Sequence, residues 1–308
     1  MNRLPSRRVD FSIIVPTYGR PGQLAACLDS LVRLRYPRDR FEVIVVDDGS
    51  PIALDAVIAS LHSRLNVSLL KQPHAGPAAA RNRGAAQAKG DFLAFTDDDC
   101  TPASNWLEKL GARFEAEPQC AVGGSTVNGL PANVYAEASQ MLSSYLYDYY
   151  NADPIRAGFL TSNNIAFPAE RFRAIGGFDE SFRGAAAEDR DICDRWLHAG
   201  YGIIFAPEAV VYHFHELTLR AFWRQHYGYG RGADRFYEKR ARRGRGGFRP
   251  EPLGFYLNIL RYPFRQACVK PPTSLAILLA MARLASFIGH MWEMLGRKSG
   301  LFGHRREG

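Results

Sequence analysis

Phe92-Leu93-Ala94-Phe95-Thr96-Asp97-Asp98-Asp99 is the segment that decides the fold of this chain. A short apolar run of this kind is typical of a buried strand. The three carboxylates that follow it repel one another, and a hard divalent cation, Mg²⁺ or Mn²⁺, is the usual remedy for such a cluster. The alternative is an acidic turn that only faces water.

The chain before this segment alternates between strand and helix patterns. Continuous apolar runs predict strands at 11–16, 41–46, 67–70 and 91–95, and apolar residues at helical spacing predict helices at 23–35, 54–65, 78–89 and about 103–114. Continuous rather than alternating apolar strands are typical of a parallel sheet that is covered by helices on both faces. We therefore predict an α/β fold with a mostly parallel central sheet.

Polar side chains follow three of the predicted strands. The first strand ends at Thr17-Tyr18, the second at Asp47-Asp48 and the fourth at Asp97–Asp99. Because ligands bind beyond the carboxyl ends of parallel strands, these groups predict a site at one edge of the sheet. At the second strand, an ordinary Asp-Gly turn is the competing interpretation.

The remainder of the chain is less regular. It predicts a strand at 119–127, an aromatic-rich helix at 136–150, a helix at 184–198 and a strand at 201–214 that is interrupted at Pro207. Five cysteines without C-x-x-C spacing argue against a zinc site or a disulfide framework and fit a reducing compartment. The basic N-terminus lacks the apolar run of a convincing signal peptide.

The net charge of +8 is unevenly distributed. From Leu217 onward the chain holds 18 Lys/Arg and 5 Asp/Glu, against 21 and 26 before it. Such a basic tail predicts a polyanionic partner: an anionic membrane, a nucleic acid or a phosphorylated ligand. The Arg-rich and Gly-rich segment 240–247 is expected to be mobile.

Residues 274–295 form an apolar segment with a polar stripe at helical spacing. Arg283, Ser286, His290 and Glu293 fall on this stripe, and basic residues flank the segment on both sides. The pattern predicts an amphipathic helix that either lies in a membrane interface or packs on the protein core. Three ionisable groups inside the segment make a membrane span less favourable.

Three further features are candidates for the same site. Glu188 and Asp189 lie near a predicted helix start, where Asp189 could act as a general base or simply cap the helix. Arg81 could face a phosphate, although an exposed helix arginine explains it more simply. His213 could join carboxylates around Mn²⁺ or have a purely structural role.

These residues carry a resemblance to a known family. Their motifs resemble, in order and in spacing over about residues 11–232, those of the family 2 glycosyltransferases. The motifs are Ile14-Val15-Pro16-Thr17-Tyr18, Val45-Val46-Asp47-Asp48-Gly49-Ser50, Ala80-Arg81-Asn82, Asp97-Asp98-Asp99 and Glu188-Asp189.

The resemblance implies the glycosyltransferase-A fold and an inverting transfer of sugar from a UDP- or GDP-sugar to a hydroxyl of a glycan or lipid-linked acceptor. It implies Asp189 as the base, Asp99 and His213 as ligands of Mn²⁺ or Mg²⁺, and Asn163, Asn164 and Glu188 as acceptor or sugar contacts. The donor nucleotide would be held by Pro16, Thr17, Tyr18, Asp47, Asp48, Arg81, Asp97 and Asp98.

The segment Gln225-His226-Tyr227-Gly228-Tyr229-Gly230 lies where processive relatives have Q-x-x-R-W. Because the Arg-Trp pair is missing, transfer of a single sugar is favoured. We predict a catalytic domain at 1–232 and a basic, amphipathic helical extension at 233–308, with a cytoplasmic position, peripheral on the inner face of a membrane. The alternatives are a nucleotidyltransferase that releases diphosphate and a nucleic-acid-binding protein that uses its basic tail.

Overall fold

The computed structural model describes residues 9–182 and 186–298. Eight strands form one sheet in the order β3-β2-β1-β4-β7-β6-β8-β5. The strands are β1 (Phe11–Thr17), β2 (Phe41–Asp47), β3 (Val67–Lys71), β4 (Phe92–Phe95), β5 (Cys100–Pro102), β6 (Ala121–Asn128), β7 (Ile165–Pro168) and β8 (Ile203–His213).

The helices follow the predicted alternation. They are α1 (Pro21–Val32), α2 (Asp55–Ala59), α3 (Pro77–Gln87), α4 (Trp106–Ala116), α5 (Val134–Tyr150), α6 (Ala169–Ala174), α7 (Glu188–His198), α8 (Leu219–Arg242), α9 (Leu253–Arg261) and α10 (Pro272–Lys298), with 3₁₀ turns at Pro154–Arg156 and Tyr262–Arg265. Helix α2 is much shorter than predicted.

The first four strands pair in parallel, as their apolar runs predict. Strand β1 lies between β2 and β4, and its last residue, Thr17, is in register with Asp47 at the end of β2. The second half of the sheet adds β7, which runs antiparallel to β4, and the parallel pair of β6 and β8. Separate apolar clusters fill the two faces, and the predicted α/β fold is confirmed.

The predicted interruption at Pro207 is an irregularity of pairing and not an end of the strand. β8 continues through Pro207 to His213, but its ladder with β6 is interrupted between Ala206 and Val211, where the register of β6 shifts between Gly124 and Thr126. Pro207 is tolerated inside the strand because its missing N–H falls where the ladder is interrupted.

The Arg-rich segment 240–247, which is expected to be mobile, is partly helical and makes ion pairs with α7. α8 continues to Arg242, so the predicted domain boundary after residue 232 falls inside a continuous helix. Arg243 then donates to Asp191 at 2.8 Å and to Asp194 at 3.1 Å, both on α7. These basic side chains neutralise an acidic helix of the same chain, so the arginines of this segment are engaged within the protein.

A third apolar cluster joins α5, α8, α9 and α10. The crossing of α8 and α10 is close because both helices have glycine there: a Cβ on Gly230 would lie 1.8 Å from the Ser286 carbonyl oxygen, and one on Gly289 would lie 2.1 Å from that of Tyr227. Helix α10 turns its polar stripe inward, where Glu293 accepts from Arg231 at 2.7 Å and from Arg235 at 2.8 Å.

The opposite face of α10 is apolar and exposed. Its exposed residues are Ile277, Leu284, Phe287, Ile288, Trp292 and Leu295. By length and composition alone this helix could cross a membrane, and a single helix of this kind is a weak indication.

Candidate active site

The three carboxylates of the Asp97–Asp99 run are paired with two arginines of the protein. Arg81 donates to Asp97 at 2.7 Å, whereas Asp98 is paired with Arg20 and accepts from the Thr17 hydroxyl at 2.7 Å. Asp99 accepts from Arg20 at 2.8 Å. Each carboxylate of the loop that follows β4 therefore has an arginine partner.

Arg20 is a site residue that the sequence interpretation missed. It lies in the turn between β1 and α1, and its guanidinium bridges Asp98 and Asp99. Its position three residues after Thr17, at the same sheet edge, is the signal that could have indicated it.

Asp99 and His213 lie together as predicted, at adjoining ends of β5 and β8. Asp99 Oδ1 is 3.3 Å from His213 Nε2, and Cys100 pairs directly with His213 in the ladder. Burial opposes ionisation of Asp99, but His213 and Arg20 hold the pKa of Asp99 below its usual range. The ring of His215 stacks on that of His213 with centroids 4.9 Å apart.

The donor atoms at this position fit a hard divalent cation. Ligand atoms of Asp99, Cys100 and His213 lie within 4.8 Å of one another. Burial raises the pKa of the Cys100 thiol well above its usual value, so this group remains protonated. A carboxylate and an imidazole without a thiolate suit Mn²⁺ or Mg²⁺ better than a soft metal.

Five of the eight residues predicted to hold the nucleotide lie at the ends of β1 and β2. Pro16 is buried in β1, and Asp47 Oδ1 accepts from the Ser50 N–H at 2.8 Å in an Asp-Gly turn. The Asp48 carboxylate accepts the N–H groups of Ala75 and Gly76, each at 2.9 Å.

Asp48 also accepts from the Gln72 amide at 2.7 Å, so the 72–76 loop is fixed against the end of β2. His74 of the 72–76 loop lies beside the half-exposed Tyr18, with the centroids of the two rings 4.6 Å apart. Together they offer an aromatic surface beside these carboxylates. Donor contacts by the predicted residues stay a prediction.

Arg81 is a buried residue and not an exposed helix arginine. Its side chain crosses from α3 to α7, donating to Glu188 at 3.0 Å as well as to Asp97. The ion pair fixes the first turn of α7 beside the Asp97–Asp99 run. Glu188, predicted as an acceptor or sugar contact, is thereby engaged by Arg81.

Asp189 lies next to this ion pair. Its burial, together with the charge of Glu188, raises the pKa of Asp189 to about 7. A carboxylate with such a pKa is suited to general-base catalysis near neutral pH. The residue before Glu188, Ala187, has a φ of 73°, which is the left-handed conformation that favours glycine.

The two asparagines have different environments. Asn164 accepts from Trp106 at 2.8 Å and donates to the Ser125 and Ala209 carbonyls, so its amide ties β6 and β8 together. Asn163 accepts from the Thr161 hydroxyl at 2.8 Å and lines a large cavity. The structure thus brings Asn163 to the predicted site, whereas it engages the polar atoms of Asn164 internally.

One cavity of about 950 Å³ joins part of this site. Its wall includes Asp97, Asn163, Glu188, Asp189 and His213, whereas Asp99 and the predicted nucleotide contacts on β1 and β2 are not among its lining residues. The cavity continues between α5, α8 and α10. Predicted residues from four distant parts of the sequence therefore share one cavity.

Comparison with known proteins accords with this geometry. The family model described as glycosyl transferase family 2 matches residues 12–176, more than half of the chain. The chain belongs to glycosyl transferase family 2. A second model, glycosyl transferase family group 2, matches residues 95–295 and thus reaches through α8 into α10.

Curated relatives of this family 2 chain include the pre-mycofactocin glycosyltransferase of Mycobacterium tuberculosis, which is 34% identical over 224 residues. The match covers 70% of this chain and 45% of that protein, so the chain spans about half of its length. Glycosyltransferase AglE of Haloferax volcanii is 26% identical over 68% of this chain and 70% of its own.

Solved structures share the fold. The mannosyltransferase PcManGT from Pyrobaculum calidifontis, in complex with GDP-Man and Mn²⁺, has a TM-score of 0.61 at 23% identity, covering 97% of this chain and 82% of that one. Staphylococcus aureus TarS 1–349 in complex with UDP-GlcNAc has a TM-score of 0.54 at 18% identity, covering 95% and 92%. These likenesses confirm the glycosyltransferase-A fold of the family 2 chain.

Proposed function

We propose that this chain is a metal-dependent inverting glycosyltransferase. It moves one sugar from a UDP- or GDP-sugar to a hydroxyl of a glycan or lipid-linked acceptor in surface polysaccharide or glycolipid synthesis. The observation that supports this most directly is the shared cavity, whose wall includes Asp189 as well as Asp97 and His213. Membership in family 2 favours a sugar transferase over a nucleotidyltransferase.

In this proposal Asp189 accepts the proton of the acceptor hydroxyl. The hydroxyl oxygen attacks the anomeric carbon as the glycosyl–phosphate bond breaks, and a single displacement inverts that centre. Burial raises the pKa of Asp189, which makes the carboxylate a stronger base than one in water. Arg81 fixes its neighbour Glu188 and thereby orients the first turn of α7.

Asp99 and His213 are the residues that would hold Mn²⁺ or Mg²⁺. A bound divalent cation supplies Lewis-acid stabilisation of the charge that develops on the departing nucleoside diphosphate. Arg20 already places a fixed positive charge beside Asp98 and Asp99, so it is positioned to assist in binding a diphosphate.

A donor screen by thermal shift tests the proposal, because a ligand that binds only the folded state raises its apparent stability. UDP- and GDP-sugars with Mn²⁺ should stabilise the wild type. Asp99→Ala should lose the metal-linked part of the shift, while Asp189→Asn should keep donor binding and lose turnover. The absence of binding and hydrolysis with every donor tested would contradict the proposal.

We also infer that the protein lies on the inner face of a membrane. The exposed apolar face of α10 supports this, together with the exposed Arg261 and Arg265 just before that helix. Apolar area and basic charge together are the determinants of binding at an anionic lipid interface.

Vesicle flotation tests this position. The protein should float with vesicles that contain phosphatidylglycerol, and substitution of Ile288 and Trp292 by serine should abolish flotation. Ile52→Ser, at an exposed isoleucine before α2, is the matched control and should leave it unchanged. Equal flotation of all three proteins would overturn the membrane assignment.

A further inference from the structure

The inner part of the cavity holds a buried histidine without a partner. His226 on α8 is 1% exposed and lines the cavity, yet neither ring nitrogen has a hydrogen-bond partner among the residues that the structure describes. Burial and the nearby Arg283 lower the pKa of His226 to about 3, so its ring is neutral. Since buried polar groups are normally hydrogen-bonded, this ring is arranged for a ligand.

The adjacent Gln225 presents a second unused group. Its amide nitrogen donates to the Tyr229 hydroxyl at 2.6 Å and to the Ser139 hydroxyl at 3.2 Å. These two bonds fix the amide, and its oxygen Oε1 is buried without a partner. The cavity therefore offers an acceptor for a ligand hydroxyl beside the histidine.

Three arginines of the same cavity lack a carboxylate partner among the described residues: the exposed Arg249 and the half-buried Arg190 and Arg283. Arg190 lies over the rings of Tyr150 and Phe159, at 5.6 and 5.3 Å from their centroids. Arg283 lies 5.6 Å from the centroid of Tyr256, and its Nε is buried without a hydrogen-bond partner. Other arginines near these helices, such as Arg231 and Arg243, pair with acidic residues.

The guanidinium groups of Arg190 and Arg283 act on one another. Burial lowers the pKa of Arg283, and the charge of Arg190 lowers it further. An anion that binds to both would remove this repulsion and replace the carboxylates that are missing. Guanidinium groups bind phosphate through two parallel hydrogen bonds, which makes arginine well suited to this anion.

The position of this cluster relates it to the acceptor. Arg190 follows the proposed base Asp189 directly, and both residues line the cavity. The same cavity is lined by Leu284 and Phe287, which are also part of the exposed apolar face of α10. The cluster thus shares one cavity with the proposed base and with a surface suited to lipid.

We propose that Arg190, Arg283 and His226 form a pocket for a phosphate group of the acceptor, with Gln225 accepting from a neighbouring hydroxyl. This inference rests on the proposed function, because it assumes that the acceptor occupies the cavity on the Asp189 side. The phosphate belongs either to a lipid phosphate, whose chain leaves along Leu284 and Phe287, or to a soluble phosphorylated sugar.

Calorimetric titration of the full chain with four probes tests the pocket: inorganic phosphate, glucose 6-phosphate, farnesyl phosphate and glucuronate. We expect saturable binding of the phosphate probes, about tenfold or more weaker in Arg283→Gln and partly retained in Arg283→Lys. If Arg283→Gln does not fold, Arg190→Gln serves in its place and should show the same loss of binding. Arg38→Gln, at an exposed arginine between α1 and β2, is the matched control and should bind as the wild type does.

Each outcome has a consequence for the proposal. Tighter binding of farnesyl phosphate than of glucose 6-phosphate supports a lipid acceptor, and the reverse order supports a soluble one. Binding of glucuronate alone, absence of saturation, or equal binding by Arg283→Gln and the wild type overturns the phosphate pocket. Asp99→Ala should retain phosphate binding while losing metal-linked donor binding, so this inference and the proposed function fail in distinguishable ways.

Discussion

Replacement of Arg81 by glutamine should destabilise the protein strongly. Arg81 is 3% exposed and is the link between Asp97, at 2.7 Å, and the buried Glu188, at 3.0 Å. Removal of one partner of a buried ion pair leaves uncompensated charge and costs about 3–5 kcal/mol. For a chain of this size that corresponds to a fall in Tm of roughly 5–8 °C.

Helix α3 provides a matched control for this experiment. Arg83 lies two residues away and is exposed, so Arg83→Gln should change the free energy of unfolding by less than about 0.5 kcal/mol. Arg81→Gln combined with Glu188→Gln should recover part of the loss, because the more exposed Asp97 is then the carboxylate left unpaired. Urea and thermal unfolding, followed by tryptophan fluorescence, measure these differences. A difference below about 1 kcal/mol between Arg81→Gln and Arg83→Gln would refute the reasoning.

Three further predictions concern other parts of the structure. Gly289→Ala should lower the free energy of unfolding by about 1–3 kcal/mol, since its Cβ meets the Tyr227 carbonyl, while Gly228→Ala, which meets nothing within 4 Å, should be neutral or stabilising in thermal unfolding. The kcat/KM for transfer should fall about tenfold per pH unit below about pH 7, because Asp189 must be ionised to act as a base, and a flat profile down to pH 5 would contradict its role. Ala187→Gly should raise the free energy of unfolding by up to about 1 kcal/mol, because glycine adopts the left-handed conformation of this residue without strain. A lower free energy of unfolding in urea would contradict the presence of that strain.

The sheet and its functional edge could be predicted because both follow from local patterns. Continuous apolar runs identify parallel strands, and the carboxyl ends of such strands meet at one edge, so Thr17, Asp47 and Asp97 were expected to come together. The pairing of Thr17 with Asp47 and the bond between Thr17 and Asp98 confirm that edge. The same argument did not extend to Arg20, because a turn residue carries no periodic signal.

The orientation of α10 could not be predicted from its own residues. Helical spacing separates Arg283 and Glu293 from the apolar face, but a helix with two faces can turn either one toward the protein. The orientation is determined by α8. Its Arg231 and Arg235 pair with Glu293, and its Gly230 allows the two helices to approach closely. Residues of α8 and α10, about sixty positions apart in the sequence, together determine which face of α10 remains exposed.

The charges of the Asp97–Asp99 run also change the argument for a metal. Repulsion among three carboxylates suggested a cation, yet Arg20 and Arg81 already neutralise much of that charge. What favours a metal in the structure is the chemistry of one pair of donors: an Asp99 carboxylate kept ionised, 3.3 Å from an imidazole of His213, with the neighbouring thiol protonated. A divalent cation at this position would therefore neutralise an incoming diphosphate more than it would stabilise the fold. Its removal should reduce donor binding and leave the Tm of the free protein nearly unchanged.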